Sequence, residues 1–200
     1  MNDTRETIGT LLVSTGRENI TKLLGYLECE GFFESPASTK YHRSHPGGLA
    51  EHSLGVYQLL EIYSPGFINK AAGPGAITLP VVKDNLIIAA LLHDICKMGA
   101  YIGNTAPYKW NRAQPKGHAL LSLVRIAKYI KMAPIEEMMI KFHMGTYGTF
   151  EFDSYASEYP IRGDKSLSKE ERYGKSLGNA WYHNPIVKCM YFCDELEMYS

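Results

Sequence analysis

Residues 86–98 read LIIAALLHDICKM, a run that is apolar on nearly every side of a helix yet carries His93 and Asp94 within it. A helix that is hydrophobic all round belongs in the interior of a fold. The rest of the chain must therefore supply the layer that surrounds it. At 45% hydrophobic residues, the 200-residue chain can bury such a helix in a core. The interior His-Asp pair then poses a chemical question, because a carboxylate inside an apolar helix is costly to bury unless it is paired or metal-bound.

The surrounding segments also read as helices. Residues 5–14 and 17–29 predict two short ones, the second carrying Ile20, Leu23, Leu24 and Leu27 at helical spacing. Gly47-Gly48 opens a helix over about 49–62, with Leu49, His52, Val56, Leu59 and Leu60 along one side, and the central helix covers about 84–98. Helices over 118–131, 134–144, 170–182 and 185–199 follow, with Pro134 in the first turn of its helix. Residues 34–45 and 64–82, rich in Pro, Gly, Ser or Thr, are loops. Residues 100–116 form an irregular excursion or short hairpin, and residues 145–170 a long polar loop with room for another. The expected fold class is all-α: a helical bundle with long loops and a small β-hairpin, in one domain spanning 1–200.

Charge narrows the function classes. Lys+Arg and Asp+Glu both number 21, so the basic stripe that follows a long nucleic acid is not expected. No segment is long and apolar enough to predict a membrane span. The sequence MNDTRETIGTLL lacks the basic-then-apolar pattern of a signal peptide. The cysteines, Cys29, Cys96, Cys189 and Cys193, form no CxxC pair, so a reducing, cytoplasmic setting is expected. Cys189 and Cys193, one helical turn apart, can in principle hold a metal, but two small buried helix residues is the plainer reading.

The candidate chemistry gathers around histidine. His52 occupies an inner position of its helix where an apolar residue is expected. His118 opens a helix, His143 stands near the end of one, and Asp194 follows the run CMYFC. Each alone reads as a hydrogen-bonded core or capping group. Six such residues, with His93 and Asp94, on five helices suit a metal site of the kind that facing helices of a bundle assemble.

The order H…HD…H…H…D resembles the HD phosphohydrolase superfamily. The segments that carry the likeness are HPGGLAEHS (45–53), ALLHDICKM (90–98), KGHALLS (116–122), IKFHMG (140–145) and YFCDELEM (191–198). The chain is similar, more closely, to small HD hydrolases of bacteria and their phages, through STGREN (14–19), GFFESPASTKYH (31–42) and SLSKEERYGKSL (166–177). It departs from the pattern in Cys96, where HDxGK often has Gly, and in Met144, where some binuclear members carry a second His.

The resemblance implies an HD core over 45–200, with helices of 1–30 packed on it. It implies a first ion held by His52, His93, Asp94 and Asp194, and a second held by His118 and His143 with Asp94 as the bridge. Imidazole and carboxylate suit Fe, Mn, Ni, Co, Zn or Mg as the divalent metal ion, one or two per chain. Asp94 is then catalytic, Lys97 a phosphate-oxygen contact, and His42 or His45 a phosphate contact or proton donor to the leaving group. Tyr108, Lys109, Trp110 and Arg112 precede His118 and suit a base and a phosphate; a packed hairpin accounts for them equally well. The implied activity is metal-dependent hydrolysis of a phosphate ester of a small molecule, most simply a nucleotide. A 3′-end exonuclease and a non-catalytic metal- or ligand-binding HD module are the alternatives.

Overall fold

A computed structural model describes residues 2–68, 70, 73–115, 117–148 and 168–199. Within them the chain forms eight α-helices: α1 (Asn2–Ser14), α2 (Ile20–Cys29), α3 (Gly48–Tyr63), α4 (Lys83–Leu92), α5 (His118–Ala127), α6 (Pro134–Phe142), α7 (Lys169–His183) and α8 (Pro185–Glu197). Two two-residue strands, β1 (Tyr101–Ile102) and β2 (Lys109–Trp110), pair antiparallel, Tyr101 opposite Trp110. The expected all-α fold with a small hairpin is the observed one. Any hairpin within 149–167 lies outside the described residues. Among the described residues no helix is long and apolar enough to cross a membrane.

The centre is α4, where every residue from Asn85 to Leu92 is buried. Burying one of its Leu or Ile side chains removes enough apolar surface from water to stabilise the fold by roughly 1.5–3 kcal/mol. Helix α4 packs on α1, α3 and α6, and α8 packs on α3, α6 and α7. The four helices α3, α4, α6 and α8 thus close a ring of contacts, with α5 lying against α6 and the turn after α4. Each of them contributes a side chain to the site below.

Local chemistry sets several helix ends. Asn19, in left-handed backbone (φ 62°), delays the start of α2 to Ile20, three residues later than the sequence pattern predicts. Ser168 opens α7 with a reciprocal cap: its hydroxyl accepts from the Glu171 N–H, and the Glu171 carboxylate accepts from the Ser168 N–H.

The largest departure from the sequence reading is at the end of α4. The predicted helix over 84–98 stops at Leu92, and Asp94 leaves helical geometry at φ −111°, ψ 13°. A 3-10 turn, Ile95–Lys97, follows, and Gly99 at φ 71° ends it. Apolar character continues across this break because the turn is buried as well, so the hydrophobic pattern alone does not reveal it. Lys97 still comes to lie over Asp94, but through the three-residue repeat of the tighter turn.

Candidate metal centre

The four ring helices and α5 bring all six sequence-predicted ligands to one point. His52 comes from the second turn of α3, His93 and Asp94 from the end of α4, and His118 from the start of α5. His143 follows the last residue of α6, and Asp194 lies in the last turns of α8. His52, His93, Asp94, His143 and Asp194 are buried, and His118 is nearly so. Within this set, three groups of ligand atoms are compact enough to hold a metal ion: His52, His93 and Asp94; His93, His143 and Asp194; and Asp94, His118 and His143. Cys189 and Cys193 are both buried and belong to none of them.

The donor atoms fall on two sides of Asp94. On one side, His52 Nε2 is 3.0 Å from Asp194 Oδ1, 3.3 Å from His93 Nε2 and 3.7 Å from Asp94 Oδ2. His93 Nε2 is 3.4 Å from Asp194 Oδ1 and 3.5 Å from Asp94 Oδ2. An ion with bonds of about 2.0–2.2 Å holds neighbouring ligand atoms roughly 2.8–3.6 Å apart. This set is already close to that spacing. On the other side, Asp94 Oδ1 faces His118 Nε2 at 2.6 Å and His143 Nε2 at 3.5 Å. Asp94 Oδ1 and His143 Nε2 are buried and lack a well-directed hydrogen bond, which is costly for a polar atom with no ion to meet.

The far side of each ring explains why Nε2 points inward. His93 Nδ1 donates to Ala90 O at 2.8 Å, and His143 Nδ1 to Ile140 O at 2.6 Å. A carbonyl only accepts, so the proton sits on Nδ1 and leaves the Nε2 lone pair for the centre. His52 Nδ1 donates to the Glu197 carboxylate. His118 Nδ1 lies 3.1 Å from Cys96 Sγ. Anchoring the outer ring nitrogen in this way is the usual arrangement of metal-ligating histidine.

The charged groups of the centre offset one another across these short contacts. Burial works to raise the Asp94 carboxyl, but Lys97, His118 and His93 overcome it and hold the group well below the usual carboxylate range. Asp194 is likewise held down, against burial, by hydrogen bonds from His52 and His93. Burial opposes charge on His52, yet its hydrogen bonds to Asp194 and Glu197 lift it to about 9. His118 is raised despite burial, chiefly by Cys96 and Asp94. His93, the most enclosed of the four, is lowered by burial.

A pocket of about 610 Å³ opens over this centre. That volume lies within the range of small-ligand sites. Its floor includes His52, Asp94, His118 and Asp194, and its wall includes Lys97, His42, Trp110, Tyr147 and Tyr199. Lys97 Nζ is 2.6 Å from Asp94 Oδ2, and this pairing raises the lysine pKa against the effect of burial. His42 stacks obliquely on His52 at 5.2 Å between ring centroids. Burial, aided by Lys97, pushes His42 down to about 4. At neutral pH its imidazole is therefore neutral, able to hydrogen-bond but weakly basic and carrying no proton to donate to a leaving group.

The other candidate substrate contacts separate. Trp110 lines the pocket, packed edge-on against Tyr101. Tyr108 turns inward and is buried, its N–H bonded to Thr39 O at 2.7 Å. Lys109 and Arg112 are exposed, and neither lines the pocket. His45 is exposed outside it, 3.3 Å from Glu51 Oε2.

Sequence reasoning missed Glu197 and Arg43. Glu197 lies three residues beyond Asp194 on the same face of α8, the one signal that could have singled it out. In comparisons with known proteins, the chain matched no family model, no curated protein and no solved structure.

Proposed function

We propose that this chain is a metal-dependent phosphohydrolase of the HD superfamily, cleaving a phosphate ester of a small molecule, most simply a nucleotide. The observation that carries this reading is the inward set of four Nε2 atoms around two buried carboxylates, with every outer Nδ1 in contact with a second group. A core histidine needs one hydrogen bond at its polar edge. Four of them turned toward one centre together with two buried carboxylates make the donor set of a divalent ion. In this reading His52, His93, Asp94 and Asp194 hold one divalent ion, and His118, His143 and Asp94 hold a second. When bound, such ions supply Lewis-acid stabilisation of the phosphoryl oxygens and make a coordinated water more acidic.

The chain's own groups complete the site. Asp94, with one oxygen toward each set of ligands, fixes the spacing between them. Lys97 lines the pocket beside Asp94, where its ammonium can bind a phosphoryl oxygen. His42, neutral over the centre, orients the phosphate by hydrogen bonding. Trp110 and Tyr199 offer ring faces at the mouth, which suits a flat leaving group.

The test is a hydrolysis screen of nucleotides, dinucleotides and a general phosphatase substrate, with Mn, Mg, Ni and Co added in turn to metal-free protein. Metal-dependent turnover lost in Asp94→Ala is the expected result. Metal binding with no turnover on any of them would favour a non-catalytic metal- or ligand-binding module.

A further inference from the structure

Three of the four histidines have outer contacts that are not carboxylates: two carbonyl oxygens and the Cys96 sulfur. His52 alone is anchored by a carboxylate, Glu197. Glu197 is 1% exposed and comes from the last residue of α8. Its other oxygen, Oε1, receives the Arg43 guanidinium through Nε at 3.0 Å and Nη2 at 2.8 Å.

The backbone around these groups is shaped to permit the contact. Arg43 adopts left-handed geometry at φ 45°, which a non-glycine residue rarely takes without support. Its carbonyl accepts from Ala37 N–H at 3.1 Å, and it faces Gly48 so closely that a Cβ there would stand 2.0 Å from the oxygen. Gly55, one turn beyond His52 on α3, meets Glu197 itself: a Cβ at Gly55 would stand 2.7 Å from Glu197 Cγ. Two glycines of one helix thus make room for one carboxylate and the residue that grips it.

We propose that Glu197, gripped by Arg43, is the positioning residue of the metal centre: it fixes His52 as an Nε2 donor and raises the basicity of that nitrogen. The affinity of the ion position shared by His52, His93, Asp94 and Asp194 then depends on a carboxylate that touches no ion. The inference rests on the metal-centre reading above. It also ties the 35–47 loop to the centre, because Arg43 belongs to the loop that carries His42 over the pocket.

The experiment is calorimetric titration of metal-free protein with Mn²⁺ alone, in wild type, Glu197→Gln and Arg43→Gln. Loss of an outer hydrogen-bond partner weakens metal binding by roughly 10–100-fold. Glu197→Gln, which keeps the shape and removes the charge, should weaken one of the two associations by about that factor and leave the other in place. Arg43→Gln should shift the same association in the same direction by less; Arg43 is partly exposed, so this variant carries the test if Glu197→Gln does not fold. Unchanged binding in both variants overturns the inference and leaves the metal reading standing. Equal weakening of both associations overturns it too, by reducing Glu197 to a structural residue. Wild-type protein that binds no Mn²⁺ overturns the metal reading itself, and the inference with it.

Discussion

Lys97 Nζ lies 2.6 Å from Asp94 Oδ2, the same carboxylate oxygen that faces His52 and His93. The lysine therefore occupies a place that an ion held by those histidines would contest. Removing it should have opposite effects on metal and on substrate. In Lys97→Met, metal affinity should rise, because a competing cation is gone. Substrate binding should fall, because a charge-assisted hydrogen bond worth about 1.5–3 kcal/mol, roughly 10–150-fold, is lost. Metal titration and KM measured on the same preparation check both signs. A fall in metal affinity would place Lys97 as a support of the carboxylate instead of its competitor.

Asp94 is the one ligand with an oxygen toward each set of donors. Asp94→Asn keeps its shape and removes its charge. It should lower turnover by more than the roughly 100-fold that loss of an outer partner costs a metal site. It should also reduce bound metal at both positions, measured by elemental analysis after desalting. His118→Ala should remove only one equivalent. Wild-type turnover in Asp94→Asn would dismiss the proposed mechanism.

These roles were legible in the sequence to different degrees, for physical reasons. His93 and Asp94 stood out because polar groups in an all-apolar helix demand compensation, and the contrast is local. His52, His118, His143 and Asp194 gained meaning only as a set, since each satisfies a core or capping role alone. Glu197 lies in the helix predicted over 185–199, but its burial depends on Gly55 of α3, 142 positions earlier in the chain, and no local pattern reveals that. The end of α4 at Leu92 was hidden for the opposite reason. Ile95 and Cys96 of the 3-10 turn that follows are buried like the helix, so the apolar pattern ran on past the break.

Proton release should accompany metal uptake. The metal-free fold raises His52 from 6.5 to about 9 and also raises His118. His52 is protonated at pH 7.5 and must lose its proton to bind a metal. Metal affinity should therefore increase with pH through the neutral range. A raised pKa stabilises the metal-free fold fully below the unfolded value and loses that stabilisation as pH climbs through the folded value. The melting temperature of metal-free protein should thus decline between pH 6.5 and 9. Calorimetry in buffers of differing ionisation enthalpy counts the protons. No release at pH 7.5 would contradict the electrostatics described above.

Chelation should destabilise the fold. The ligands come from α3, α5, α6, α8 and the end of α4, so the two ions of the proposed centre would together tie the whole ring of helices. A ligand at about 100 times its Kd contributes about 2.7 kcal/mol to stability. For a domain of this size each kcal/mol moves Tm by roughly 2–4 °C. A chelator should therefore lower Tm by roughly 5–11 °C, reversed by excess Mn²⁺. An unchanged Tm together with unchanged activity would exclude a metal role.

Substrate size follows from the pocket. Among the described residues that line it, Lys97 is the one Lys or Arg side chain, and Lys109 and Arg112 stand outside. A single-strand binder gains roughly 0.7 in its log–log salt slope for each phosphate neutralised, so a protein tracking several phosphates loses affinity steeply with salt. A small ester held at one phosphate should change KM by no more than about fourfold between 50 and 200 mM salt, for a slope near one. Trp110 is 47% exposed at the mouth, where a stacked ring can cover it. If the leaving group is a nucleoside, Trp110→Ala should remove a stacking contact of about 1–3 kcal/mol, raising KM by roughly 5–150-fold. A substrate with an aliphatic leaving group should be affected less. Mononucleotide and long single-strand hydrolysis, compared at both salt concentrations in wild type and Trp110→Ala, reads all of these. Salt-sensitive degradation of the strand with no mononucleotide turnover would overturn the small-substrate reading and favour an exonuclease.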